Sequence, residues 1–242
     1  MRKGDFMIDG EAAMLRGCWL TTYPEISIPQ NSRTFNALAG SSQSQISGDT
    51  DTWTNRDIKL TICAMGRDAH EFANARGWLI NKLNAPGYHT LVVYSDEAYT
   101  YNVALSAAIT PTRPMRNNYV ETYEISLTAG AFKRLRGYPD LVAPVTHGIN
   151  KSAYNAYPLW HVWGSGDGVI TINGITYNLA DLPGECFIDS DPQQQDVYDA
   201  SGQLLADIPQ FVEYPVLPPG QFTVGIGGGI TKLTLEPRWQ TI

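Results

Sequence analysis

The chain has 242 residues, 43% of them hydrophobic, and a formal net charge of −7. That length holds one large or two ordinary domains with a real core, and the acidic balance excludes a surface built to bind nucleic-acid phosphates. The three cysteines, Cys18, Cys63 and Cys186, are far apart and odd in number, which excludes a disulfide framework or a CxxC metal site and fits synthesis in a reducing compartment.

The chain opens on "MRKGDFMIDG", which lacks the apolar core of a signal peptide. No apolar run approaches the roughly 18 residues that would span a bilayer, so a membrane role is not expected. Residues 36–53, "NALAGSSQSQISGDTDTW", are rich in Ser, Gln, Gly and Asp. A stretch of that length is a solvated loop, a hairpin with two polar faces, or an arm that orders against a neighbouring subunit. Gln43, Gln45 and Trp53 are its candidate interface residues.

Strand signals follow. In "RDIKLTICAMG", Ile58, Leu60, Ile62 and Ala64 share one face, and Lys59, Thr61 and Cys63 the other. Asp68 followed by Glu71 has the form of a capping box. Phe72, Ala75, Leu79 and Leu83 then recur at helical spacing, predicting a helix over 69–84 that stops before Pro86-Gly87. "HTLVVYSDE" and "TYNVALSAAI" predict a hairpin. "YVETYEISLTAGAF" is one more alternating strand, with Tyr123, Ile125 and Leu127 on a single face.

The Pro- and Gly-rich stretch after Leu135 predicts a domain boundary, giving domains 1–136 and 137–242. The charge divides at the same place, with 14 Lys/Arg against 13 Asp/Glu before it and 3 against 11 after it. Beyond the boundary, short strands are predicted over 159–164, 168–172, 175–179, 185–189, 196–199, 221–226 and 231–237, as in a sandwich. Asn173-Gly174 is a strong hairpin-turn signal. "GSGDG" and "GIGGG" lie between predicted strands rather than before a helix, and so read as turns, not phosphate cradles. The fold class is mainly β, in two domains: an N-terminal β-sandwich-like domain with one helix and a C-terminal β-sandwich.

Chemical motifs are weak. "HEFAN" at 70–74 has Asn74 where a zinc protease needs its second histidine, and the four histidines show no ligand spacing. Asp189, Asp191, Asp196 and Asp199 form an acidic run that fits a solvated strand edge, a loose cation site or a carboxylate pair of the kind glycosidases use. Asn150 to Ser152 is a glycosylation sequon. Trp160 and Trp163 lie in "LWHVW" on opposite strand faces. One is expected in the core, and the other to contact a partner protein or a sugar. No catalytic residue, no cofactor and no metal is assigned, and the enzyme reading ranks behind structural and recognition roles.

The order of "NKSAYNAYPLWHVWGSG", "VITINGITYNL", "CFIDSDPQQQDVY" and "YPVLPPGQFTVGIGGGITKLTLEPRW" resembles the distal tail protein of long-tailed (siphovirus) phages of Gram-positive bacteria and its prophage-encoded homologues. The N-terminal half is similar too, through "RDIKLTICAMG", the capped helix and "LVVYSDEAY". The resemblance implies a galectin-like C-terminal sandwich and a hexameric ring at the virion tail tip, made in the bacterial host cytoplasm. Its partners would be the tail tube protein, the tape-measure protein, a tail-associated lysin or fibre and a receptor-binding protein. No sequence-specific nucleic acid binding is implied. The length leaves no room for an inserted sugar-binding module. A lectin-like sandwich that recognises host cell-wall sugars is the alternative.

Overall fold

The computed structural model describes residues 1–37, 40, 42, 43, 45–47, 52–114 and 118–242. They form two units, Met1–Lys133 with Ile242, and Arg134–Thr241. Each unit has its own core, and the fold is mainly β, in sandwich-like domains.

In the N-terminal unit the strands are β1 (Phe6–Ile8), β2 (Glu11–Ala12), β3 (Cys18–Leu20), β4 (Glu25–Ile26), β5 (Thr34–Asn36), β6 (Gln45–Ser47), β7 (Arg56–Met65), β8 (His89–Val93), β9 (Tyr99–Leu105), β10 (Thr110–Thr112) and β11 (Val120–Ala129). One helix, α1 (Ala69–Asn84), joins β7 to β8. The main sheet runs β2-β1-β8-β9-β11-β7-β3, with β10 added to β11 and β4 to β7. Its spine is the antiparallel β7–β11 pair, in unbroken register from Val120↔Met65 to Ala129↔Arg56. The alternation does the sorting. Ile58, Leu60, Ile62, Tyr123, Ile125 and Leu127 are all buried on one face.

α1 has the predicted limits. Phe72, Ala75, Leu79 and Leu83 are its buried residues, and the helix lies on β7 and β9. Asp68 Oδ1 accepts the Glu71 N–H at 2.8 Å, the N-cap bond. The reciprocal half of the capping box is displaced by one residue, because the Glu71 carboxylate accepts the N–H of Arg67 at 3.0 Å instead of that of Asp68. Leu79 is fully buried, and its truncation to alanine would cost about 2–5 kcal/mol.

β12 (Lys133–Leu135) crosses the boundary between the units. The C-terminal unit then contains β13 (Leu141–Val142), β14 (Val145–Asn150), β15 (Leu159–Ile172), β16 (Ile175–Asp189), β17 (Val197–Asp199), β18 (Gly220–Glu236) and β19 (Gln240–Thr241). The sheet order is β13-β18-β15-β16-β17, with β14 also on β18. Asn173 and Gly174 have φ of 49° and 86°, both in the left-handed region that a two-residue hairpin turn requires.

The glycine segments depart from expectation. "GSGDG" and "GIGGG" are not turns; they lie inside β15 and β18, which run on as strands of 14 and 17 residues. The registers of β15 with both β16 and β18 shift there, as at a β-bulge. The glycines are required by close backbone approach. A Cβ on Gly229 would stand 1.9 Å from the Ser165 carbonyl oxygen, and one on Gly164 would stand 2.4 Å from that of Gly229. β16 likewise runs unbroken through residues 175–189, where two strands were predicted.

Candidate functional site

No group of three or more His, Cys, Asp or Glu among the described residues could hold a metal ion. His70 is exposed, and Glu71 of "HEFAN" pairs with Arg67. The three thiols are buried and free. No helix among the described residues is long and apolar enough to cross a membrane.

Three of the four acidic residues are structural, which corrects their reading as a solvated strand edge, while Asp196 is exposed as that reading expected. Asp189 is buried and takes a forked bond from Arg238, Nη1 to Oδ1 at 2.7 Å and Nη2 to Oδ2 at 3.2 Å. Asp191 pairs with Arg134. Asp199 accepts the N–H groups of Ser201 and Gln203, at 2.8 and 2.9 Å, closing a turn. The partner of Asp189 comes from the "EPRW" segment, where Arg238 holds a φ of +50° and Trp239 enters the core. The sequon is also structural. Asn150 is 2% exposed, and its Nδ2 donates to the carbonyls of Tyr154 and Leu217 at 2.9 and 3.2 Å.

The polar segment forms a ribbon of its own. β5 pairs with β6 through Thr34↔Ser47, Phe35↔Ile46 and Asn36↔Gln45, in a two-stranded sheet separate from the main one. Its base is tied by an Asn31↔Trp53 bridge, with Ser32 N–H donating to the Thr52 carbonyl at 2.8 Å and Thr54 N–H to that of Gln30 at 2.9 Å. Gln43 is exposed at a bend, and Gln45 lies in β6. Trp53 sits apart from them at the base, half-buried and edge-on to Phe132 at 6.0 Å between centroids. Residues 38, 39, 41, 44 and 48–51, which complete the predicted arm, lie outside the described residues. Ile46 on the ribbon and Tyr23 and Ile28 before it are exposed apolar side chains. An isolated two-stranded ribbon is marginal in water and gains stability only against another surface.

The two tryptophans separate as strand alternation requires. Trp160 is fully buried, and its Nε1 donates to Ser190 Oγ at 3.0 Å. It belongs to the core, so the candidate contact with a partner or sugar falls away for this residue. Trp163 is half-buried in an aromatic row on the opposite face. The His161 ring lies 3.5 Å from it between centroids, Phe187 lies 4.1 Å from His161, and Tyr198 lies 5.5 Å from Phe187. Lys232 Nζ stands 4.2 Å from the Trp163 centroid. The π surface of Trp163 is thus already engaged within the chain. Sequence reading missed this row because it is assembled across β15, β16 and β17.

No family model matches the chain, and no curated protein matches it. Solved structures do. The Dit protein of phage SPP1, described as a paradigm of the hub adsorption apparatus in phages infecting Gram-positive bacteria, is similar with a TM-score of 0.64 at 10% identity, over 100% of both chains. A chain of the phage P2 baseplate in its activated conformation with Ca is similar with a TM-score of 0.57 at 10% identity, over 97% of this chain and 98% of that one. The same baseplate with Sr gives 0.57 and 10%, over 96% and 97%. The chain has the fold of these phage hub and baseplate components.

Proposed function

We propose that the protein is a structural hub of a phage tail tip, assembling as a ring that joins the tail tube to a tail lysin or fibre and to receptor-binding proteins. The observation that carries this reading is the end-to-end likeness to the SPP1 hub protein, over 100% of both chains. The ribbon of β5 and β6 adds a physical argument. Among the described residues its two strands form a sheet separate from the main one, and a neighbouring copy is a surface on which such a ribbon gains stability. The acidic C-terminal half fits contacts to basic partner surfaces that weaken as salt rises.

Light scattering and negative-stain microscopy of the full chain at micromolar concentration test the reading. A closed ring, six copies by analogy, is the expected result. A monomer that binds host cell-wall sugar saturably would instead establish the lectin-like alternative. Replacing residues 36–45 by a short turn is expected to weaken ring closure by at least about tenfold and leave the melting of both units unchanged, since two-stranded ribbons add little stability of their own. Normal assembly of that variant would remove the ribbon from the interface.

A further inference from the structure

His89 opens β8, close to the end of α1, and its side chain is about nine-tenths buried. Its Nδ1 lies 3.0 Å from Oδ2 of Asp9, in the turn between β1 and β2. Its Nε2 lies 3.0 Å from the carbonyl oxygen of Ala85, just past the last turn of α1. Both partners are acceptors. A carbonyl has no proton to give, and the Asp9 carboxylate already accepts the Thr90 N–H on its other oxygen at 2.9 Å. A neutral imidazole carries one donor and one acceptor, and only the imidazolium donates from both nitrogens. Both hydrogen bonds form together only in the charged ring.

We propose that His89 is a proton-operated latch: as an imidazolium it ties the C-terminal end of α1 to the β1–β2 turn, and on losing its proton it releases one of the two.

The surroundings agree with this. The charged groups facing the ring are Asp9 from the turn and Lys82 from α1. Lys82 Nζ lies 3.9 Å from Asp9 and 2.8 Å from Glu11 on β2, so its charge is largely met by Glu11. The Ala85 carbonyl does most to raise the histidine pKa, burial opposes it, Asp9 adds to the rise, and Lys82 opposes weakly. For Asp9, burial alone would push the carboxyl up, but the Thr90 N–H, His89 and Lys82 outweigh it and leave it lowered. The raised histidine contributes stability that is complete below its unfolded value of about 6.5 and is lost as pH rises through its folded value. The lowered carboxyl contributes stability that is present above about 3.9 and is lost as pH falls through its own folded value. The latch is closed between the two folded values.

The test is ring-nitrogen NMR of the full chain labelled with 15N-histidine, with His89 assigned by its absence in His89→Gln. The expected result is a ring protonated on both nitrogens below a midpoint that lies above that of a free histidine and is lowered in Asp9→Asn. Hydrogen exchange of the segments around residues 9 and 85, corrected for intrinsic rates, should show opening rise roughly tenfold or more on passing above that midpoint, the effect of losing one hydrogen bond to a charged group. The same passage should change nothing in His89→Gln. A midpoint at or below that of a free histidine, a midpoint unmoved by Asp9→Asn, or equal opening on both sides of the midpoint would each overturn the latch.

Discussion

Replacing Asp189 with asparagine will destabilise the C-terminal unit by about 3–5 kcal/mol, because it removes the buried counter-charge of Arg238 and leaves only the exposed Glu236 carboxylate at 3.8 Å. The carboxylate side chain is 2% exposed and Arg238 is 12% exposed, so little solvent reaches either to screen the loss. Asp189 also accepts the N–H of Asp191 at 2.9 Å, which fixes the chain leaving β16. Urea unfolding followed through tryptophan fluorescence reads the effect, because Trp160 sits in the same core. Removing both charges, Asp189→Asn with Arg238→Met, should recover most of the loss, since no buried charge is then left unpaired and the amide oxygen can still accept the Asp191 N–H. A loss below about 1 kcal/mol in the single variant would show that the pair behaves as a solvated surface bridge.

Gly229→Ala will cost about 3 kcal/mol or more, at the upper end for overpacking, because the added methyl meets a backbone oxygen rather than a side chain that can turn away. The Cβ would stand 1.9 Å from the Ser165 carbonyl oxygen, so β15 and β18 would have to part. Gly225→Ala is the matched control on the same strand, where the Cβ comes no nearer than 3.7 Å to the Thr171 side chain. Thermal melting should leave the control close to the parent and lower the Gly229 variant strongly. Equal melting of the two would mean that the bulge can relax around a side chain.

What the sequence showed and what it concealed divide by the range of the cause. α1 was legible to its ends, because its cap, its apolar spacing and the following Pro86-Gly87 all act within a few residues. The β7 and β11 alternations were legible for the same reason, each face being set by neighbours two residues away. The glycines of β15 and β18 were not. A cluster of glycines marks a turn or a close approach of backbones, and only the partner strand, between 54 and 66 residues distant, decides between them. The acidic run failed alike, since Arg238 lies 49 residues beyond Asp189. The ribbon was legible as polar and unusual, but the residues that would face another copy depend on a surface the chain does not contain.

The buried thiols give the molecule two internal clocks. Burial pushes Cys18 up to about 12, helped by nearby Cys63, and burial pushes Cys186 up to about 11. Alkylating reagents and air attack the thiolate, which is almost absent from either site at neutral pH. Modification therefore waits for the surrounding core to open, and its rate reports how often that happens. Cys18 keeps time for the N-terminal unit and Cys186 for the C-terminal one, so a single labelling course followed by peptide mapping would time the breathing of each half separately in the same sample.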